Sequence, residues 1–123
     1  MANPNIVNVT SIHGMTDFAF PTDTSPAVLL TNPASSGEIW KVNSLMASNV
    51  LGSTATTTIT VNSAAAGGGT AYSLASTISV PADATLIVTD KTTSFYLKED
   101  QSVVVTSGTA SAIQYVVSYE VIS

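Results

Sequence analysis

"SAIQYVVSYEVIS" (111–123) carries Ile113, Tyr115, Val117, Tyr119 and Val121 at every second position, with Ala112, Gln114, Val116, Ser118 and Glu120 between them. Successive side chains of a β-strand point to opposite faces, so this segment reads as a long strand with one apolar face. "ATTTITVNS" (55–63) repeats the pattern, with Thr57, Ile59 and Val61 on one side and Thr56, Thr58, Thr60 and Asn62 on the other. "EIWKVNSLMASNV" (38–50) alternates less cleanly, Ile39 and Leu45 opposing Trp40, Val42 and Met46. That pattern suits a strand covered on both faces, and it is placed centrally.

Period-two segments of β-branched residues recur along the chain, broken about every 8 to 14 residues by Pro, Gly, Asn or Asp. No helical period longer than two turns, no internal repeat and no linker is present. The fold class is therefore all-β: one antiparallel β-sandwich over residues 1–123, jelly-roll-like or immunoglobulin-like. Its core is predicted to hold Trp40, Val42, Leu45 and Ile59.

Turns take up most of the rest. FPTDTSP (20–26) and TNPASSG (31–37) combine prolines, which cannot donate to a ladder, with side chains that hydrogen-bond locally. AAAGGG (64–69) reads as the most flexible stretch, an exposed loop, because consecutive glycines are entropically costly to order. In "VPADATLIVTDKTTSFYLKEDQSVVV" (80–105), Pro81–Asp83 ends one strand, Leu86–Val88 forms the next, and DKTTS (90–94) turns into FYLKE (95–99). Glu99 and Asp100 then open a turn into a strand around Val103–Val105. The charges here sit at changes of direction, as expected of solvated turns.

Only 9% of the 123 residues are charged against 45% hydrophobic, far below the roughly 25% charged residues of ordinary globular domains. A soluble chain with so few charges hides exterior against other subunits, which points to a homo-oligomer. The net charge of −5, with Lys41, Lys91 and Lys98 as the only cations, speaks against nucleic acid, whose binders need dense cationic rows. No apolar run of about 18 residues exists, and MANPNIVNVT (1–10) has neither a basic segment nor an apolar core, so no membrane span and no secretion signal is read. The absence of cysteine removes thiolate chemistry and fits folding in a reducing cytoplasm.

Catalytic patterns are thin. The single histidine, His13, stands in SIHGM beside Gly14, near a turn, without a nucleophile-elbow motif. It reads as an ordinary hydrogen-bonded residue. Glu99 and Asp100 are adjacent and would face opposite sides of a strand, which does not suit a glycosidase pair. Asp23, Asp90 and Asp100 could hold calcium with backbone carbonyls, but no spacing supports such a site. No catalytic, cofactor or metal residues are assigned, and no enzyme activity is expected. The aromatics Trp40, Phe18, Phe20, Tyr72, Phe95, Tyr96, Tyr115 and Tyr119 are expected in the core first and at subunit contacts second.

The segments IWKVNSLMASNV (39–50), TAYSLASTISVPADATLIVTDKTTSFYLKEDQSVVV (70–105) and VVSYEVIS (116–123) together resemble small virion structural proteins of tailed bacteriophages, especially those of marine cyanobacteria. The resemblance covers about two-thirds of the chain and rests on strand and turn residues, with no catalytic signature. It implies a β-sandwich on the outside of the virion, in one of two places. The first is a capsid decoration (cement) protein bound to the major capsid protein, a trimer being the symmetric form that suits quasi-symmetric lattice points. The second is a tail or fibre-base module contacting tail proteins and a host glycan.

Overall fold

A computed structural model describes residues 9–123. The reading of MANPNIVNVT as free of a signal, and the first boundary of the single domain, reach into residues 1–8, outside the described residues.

The chain lays nine strands into two antiparallel sheets among the described residues. The first contains β1 (Ile12–Ala19), β3 (Ile39–Asn49), β6 (Thr85–Thr89), β7 (Phe95–Leu97) and β9 (Ile113–Ile122). Its order is β1-β9-β3-β6, with β7 paired to the N-terminal half of β3. The second contains β2 (Ala27–Asn32), β4 (Ala55–Asn62), β5 (Ala71–Val80) and β8 (Gln101–Ser107), in the order β2-β8-β4-β5. Most connections cross from one sheet to the other, which interlocks two Greek keys. This is the strand order of a jelly roll and not that of an immunoglobulin domain.

β3 is central, as its sequence predicts, but its faces differ from the predicted assignment. Val42, Leu45 and Ala47 all point into the core and are fully buried, because the register with β9 shifts between Val42 and Ser44. This bulge at Asn43 adds one residue and flips the parity, so Val42 and Leu45 share a face although they are three apart. Met46 points outward. Trp40 is half-buried at the margin of the core, stacked on Tyr119 with ring centroids 5.2 Å apart. It is not the central core residue expected, because its indole nitrogen reaches out to donate to Glu38 Oε1 at 3.0 Å.

Elsewhere the inward faces follow the alternation. Thr57 and Ile59 on β4, Val103 and Val105 on β8, and Ile113, Tyr115, Val117 and Tyr119 on β9 are buried, while Val61 and Val121 are half-buried at the ends. The Tyr115 hydroxyl crosses the sandwich from the first sheet to the second, donating to Thr106 O at 3.1 Å and meeting Thr57 Oγ1 at 2.5 Å. A phenol in an apolar core has to be hydrogen-bonded, and these partners meet that demand. Burial pushes the Tyr115 hydroxyl pKa above its usual value.

Three strands end on buried asparagines, and each side chain ties down the connection that follows. Asn32 donates to Glu38 O and Leu97 O and accepts from Ser36. Asn49 donates to Ser53 O and Val80 O and accepts from Leu51 N. Asn62 donates to Gly67 O and accepts from Thr60.

AAAGGG is not the free loop its composition predicts. Residues Ala65–Gly67 form a 3-10 turn folded back onto the outer face of the second sheet. Three successive amides are held there: Ala65 N donates to Asp100 Oδ1, Ala66 N to Thr31 Oγ1 and Gly67 N to Ser102 Oγ. Gly67 takes a φ of +77° and lies against Val28 and Val104, and a Cβ on Gly69 would fall within 2.9 Å of Ala64 N. Glycine serves the left-handed backbone at 67 and the close approach at 69, and not mobility. The turn at DKTTS is a second 3-10 turn, Lys91–Thr93, capped by Asp90.

Candidate assembly surface

The first sheet turns a face outward that is built from alternate residues of its five strands. Cross-strand pairing aligns Phe18 on β1, Val116 on β9, Met46 on β3 and Ile87 on β6 into one apolar row. Phe18 is 76% exposed and Ile87 61% exposed. Next along the strands comes a hydroxyl row of Thr16, Ser118 and Ser44, and then Gly14, Glu120, Lys41 and Tyr96. Beside Phe18, where β1 leaves the sheet, a cleft of about 350 Å³ is lined by Phe18, Ala19, Phe20, Gln114, Tyr115 and Val116. Its only side-chain amide is Gln114, so the cleft suits hydrocarbon or an aromatic ring better than an ion.

A second apolar surface lies on β5, an edge strand exposed along nearly its whole length. Tyr72 is 65% exposed, with Leu74 and Ile78 also exposed, and no charge stands between residues 71 and 80. Natural edge strands usually carry charges or proline against unwanted pairing. Here the protection is irregularity: the register with β4 shifts twice, and Thr77 takes a φ of 49°.

Phe18, Phe20, Tyr72 and Tyr96 are thus exposed, contrary to the expectation that aromatics fill the core. Phe95 and Trp40 are half-buried against it, and Tyr115 and Tyr119 are buried. The apolar residues of β1, IHGMTDFA, do not alternate, since its side chains are mostly in solvent. Phe18 could have been placed outward only from its pairing with Val116.

The residues weighed for chemistry are scattered. His13 sits within β1 opposite Val121, not near a turn, and is exposed. Asp23 accepts from Ser25 N, Asp90 from Thr92 N and Thr92 Oγ1, and Asp100 from Ala65 N. Asp23 and Asp90 are occupied within their own loops and Asp100 by the turn at Ala65, and the Thr92 bonds hold the Asp90 pKa below its usual value. Among the described residues no three His, Asp or Glu side chains cluster as a metal site. Both Glu99 carboxylate oxygens are buried without a hydrogen-bond partner. Tyr119 donates to Asp17 Oδ2 at 2.5 Å, and burial together with that carboxylate pushes its hydroxyl pKa far up. The pair pins β1 to β9.

No family model and no curated protein matches the chain. A solved structure does. It is similar, at a TM-score of 0.52 and 19% identity over 99% of this chain and 92% of that one, to a protein from Bacillus endospore appendages, described as a novel family of disulfide-linked pili. At that identity the likeness establishes a shared β-sandwich fold.

His13→Ala is expected to leave thermal stability and any binding unchanged within about 0.5 kcal/mol, as for exposed substitutions away from special features. A lost binding activity in a folded variant, measured by thermal melting alongside particle binding, would contradict this.

Proposed function

We propose that the chain is a structural subunit used in many copies on the outside of a virion: a capsid decoration protein that binds the major capsid protein and stabilises the contacts between capsomers. The observation that carries this reading is the pair of separate apolar surfaces, the outer face of the first sheet and the β5 edge, on a chain with 9% charged residues. One such surface suits a single partner; two allow a subunit to bridge neighbours in a lattice. No catalytic step is assigned to it.

A second reading, a filament subunit, is favoured by the sandwich shared with a pilus protein. Because this chain has no cysteine, its filament would be held by non-covalent contacts alone. The tail or fibre-base alternative draws on the exposed Phe18 and Phe20.

A DNA-release melt on complete, stripped and reconstituted heads tests the decoration reading. A ligand that binds only the intact shell stabilises it by mass action, so stripped heads should release DNA at lower temperature and added protein should restore the original value. With few charges to steer binding, attachment should also survive high salt. Equal melting of all three, with loss of host adsorption on stripping, would favour the tail. Fibres formed by the purified protein alone would favour the filament.

A further inference from the structure

We propose that the outer face of the first sheet is the contact between two copies of this chain, packed face to face about a two-fold axis that lies between β9 and β3 and runs nearly along the strands. The inference rests on the reading of the chain as a multi-copy structural subunit and specifies one of its contacts.

Such an axis places β1 of one copy over β6 and β7 of the other, and β9 over β3. Every row then meets its complement. In the apolar row Phe18 faces Ile87 of the second copy and Val116 faces its Met46. In the next row Ser118 faces Ser44, hydroxyl to hydroxyl. Two steps from the apolar row, Glu120 faces Lys41 and Lys41 faces Glu120. Since Lys41 and Glu120 are already cross-strand neighbours within each copy, the four charges form a square of alternating sign, each flanked by two opposites. At the end of that row Gly14 faces Tyr96. A Cβ added to Gly14 would meet nothing within 4 Å, so an open notch receives a half-exposed ring. A two-fold axis running across the strands at the charged row would instead set Glu120 over Glu120 and Lys41 over Lys41, and one at the apolar row would leave these charges without opposite partners across the contact. A chain of net charge −5 repels its own copies, and this face, which pairs its charges, lets copies meet without that repulsion.

The size of the face sets the strength. Four strands at about 4.8 Å spacing and seven residues at about 3.3 Å give roughly 450 Å² per copy. Some 900 Å² in total is below the about 1,200–2,000 Å² of standard stable interfaces. An interface of that size is a weak one, consolidated where a lattice holds many copies together. Face-packed sheets cross at about 30°, which a two-fold axis inclined about 15° to the strands supplies.

The test is sedimentation velocity of the purified full chain from about 1 to 300 µM, with the monomer–dimer constant fitted for wild type and four variants. Wild type should pass from monomer to dimer across that range. Phe18→Asp, at a site too exposed to matter for folding, should weaken association at least about tenfold with an unchanged melting temperature at 1 µM. Lys41→Glu and Glu120→Lys should each weaken it about tenfold, and the double exchange Lys41→Glu/Glu120→Lys should return it to within about threefold of wild type. A wild type that stays monomeric at 300 µM, a trimer, a Phe18→Asp variant that associates normally, or a double exchange no better than the single changes would each overturn the proposal. A monomer whose Phe18→Asp form no longer binds heads would assign the face to the capsid instead. Because the dimer is measured without particles, its absence leaves the decoration reading standing, and failure of the DNA-release test leaves the dimer standing.

Discussion

Leu45→Ala lowers the stability of the domain by about 4 kcal/mol, near the upper part of the range for a large-to-small change in a closed core. Leu45 is fully buried on β3, the strand flanked on both sides within its sheet. It pairs with Val117 on β9 and Thr89 on β6, so the cavity left behind is walled by strands that cannot collapse without breaking ladder bonds. Met46→Ala, one residue along and pointing outward, should cost a fraction of this. Urea unfolding of both variants decides the matter: equal losses would mean that the bulge at Asn43 does not set the parity described above.

Asn49→Asp is expected to cost more than Asn49→Ala, and the latter about 3 kcal/mol. The Asn49 amide donates to the carbonyls of Ser53 and Val80 at 2.8 and 3.0 Å, and its oxygen accepts from Leu51 N at 2.9 Å. Truncation leaves a buried carbonyl at Val80 and an amide at Leu51 without partners, each worth about 1–3 kcal/mol, part of which water recovers at the exposed Ser53. Aspartate keeps the acceptor but turns a second oxygen, with charge, against two carbonyl oxygens at a site 2% exposed. The measurement is thermal melting at neutral and acid pH. Protonation restores a donor to the aspartate, so the deficit of Asn49→Asp should shrink as pH falls; a deficit independent of pH would show that the amide is not what ties β3 to the β5 end.

The all-β class and most strands could be read from period two, since the side chains of β4 and β9 that alternate in sequence also alternate between the core and the outer face. Three things could not. Bulges are invisible to a period count, which sets Val42 against Leu45 although both face inward. Local composition does not reveal distant partners: the glycines of 67–69 look flexible until Asp100, Thr31 and Ser102 are brought to the preceding amides. Edge strands lack a buried face to impose a pattern, which concealed β1 and with it Phe18, the most exposed residue of the apolar row. The three asparagines at strand ends resemble ordinary turn residues in the sequence; only burial separates a clip from a solvated turn.

The pairing of β1 with β9 also governs how the domain is made. Tyr119 holds Asp17 across 102 positions, and Ser11 meets Ser123 across 112. During synthesis β1 leaves the ribosome long before β9, its neighbour in the sheet among the described residues, exists, with Phe18 and Phe20 uncovered in the interval. At about 5–20 residues per second, the roughly 100 residues between them take about 5–20 seconds. Where many copies are translated close together, the β9 of a neighbouring chain can reach β1 first, and the product is a strand-exchanged pair with the same bonds and the wrong connectivity. Slow production at low expression level should therefore give the preparation with less strand-exchanged protein.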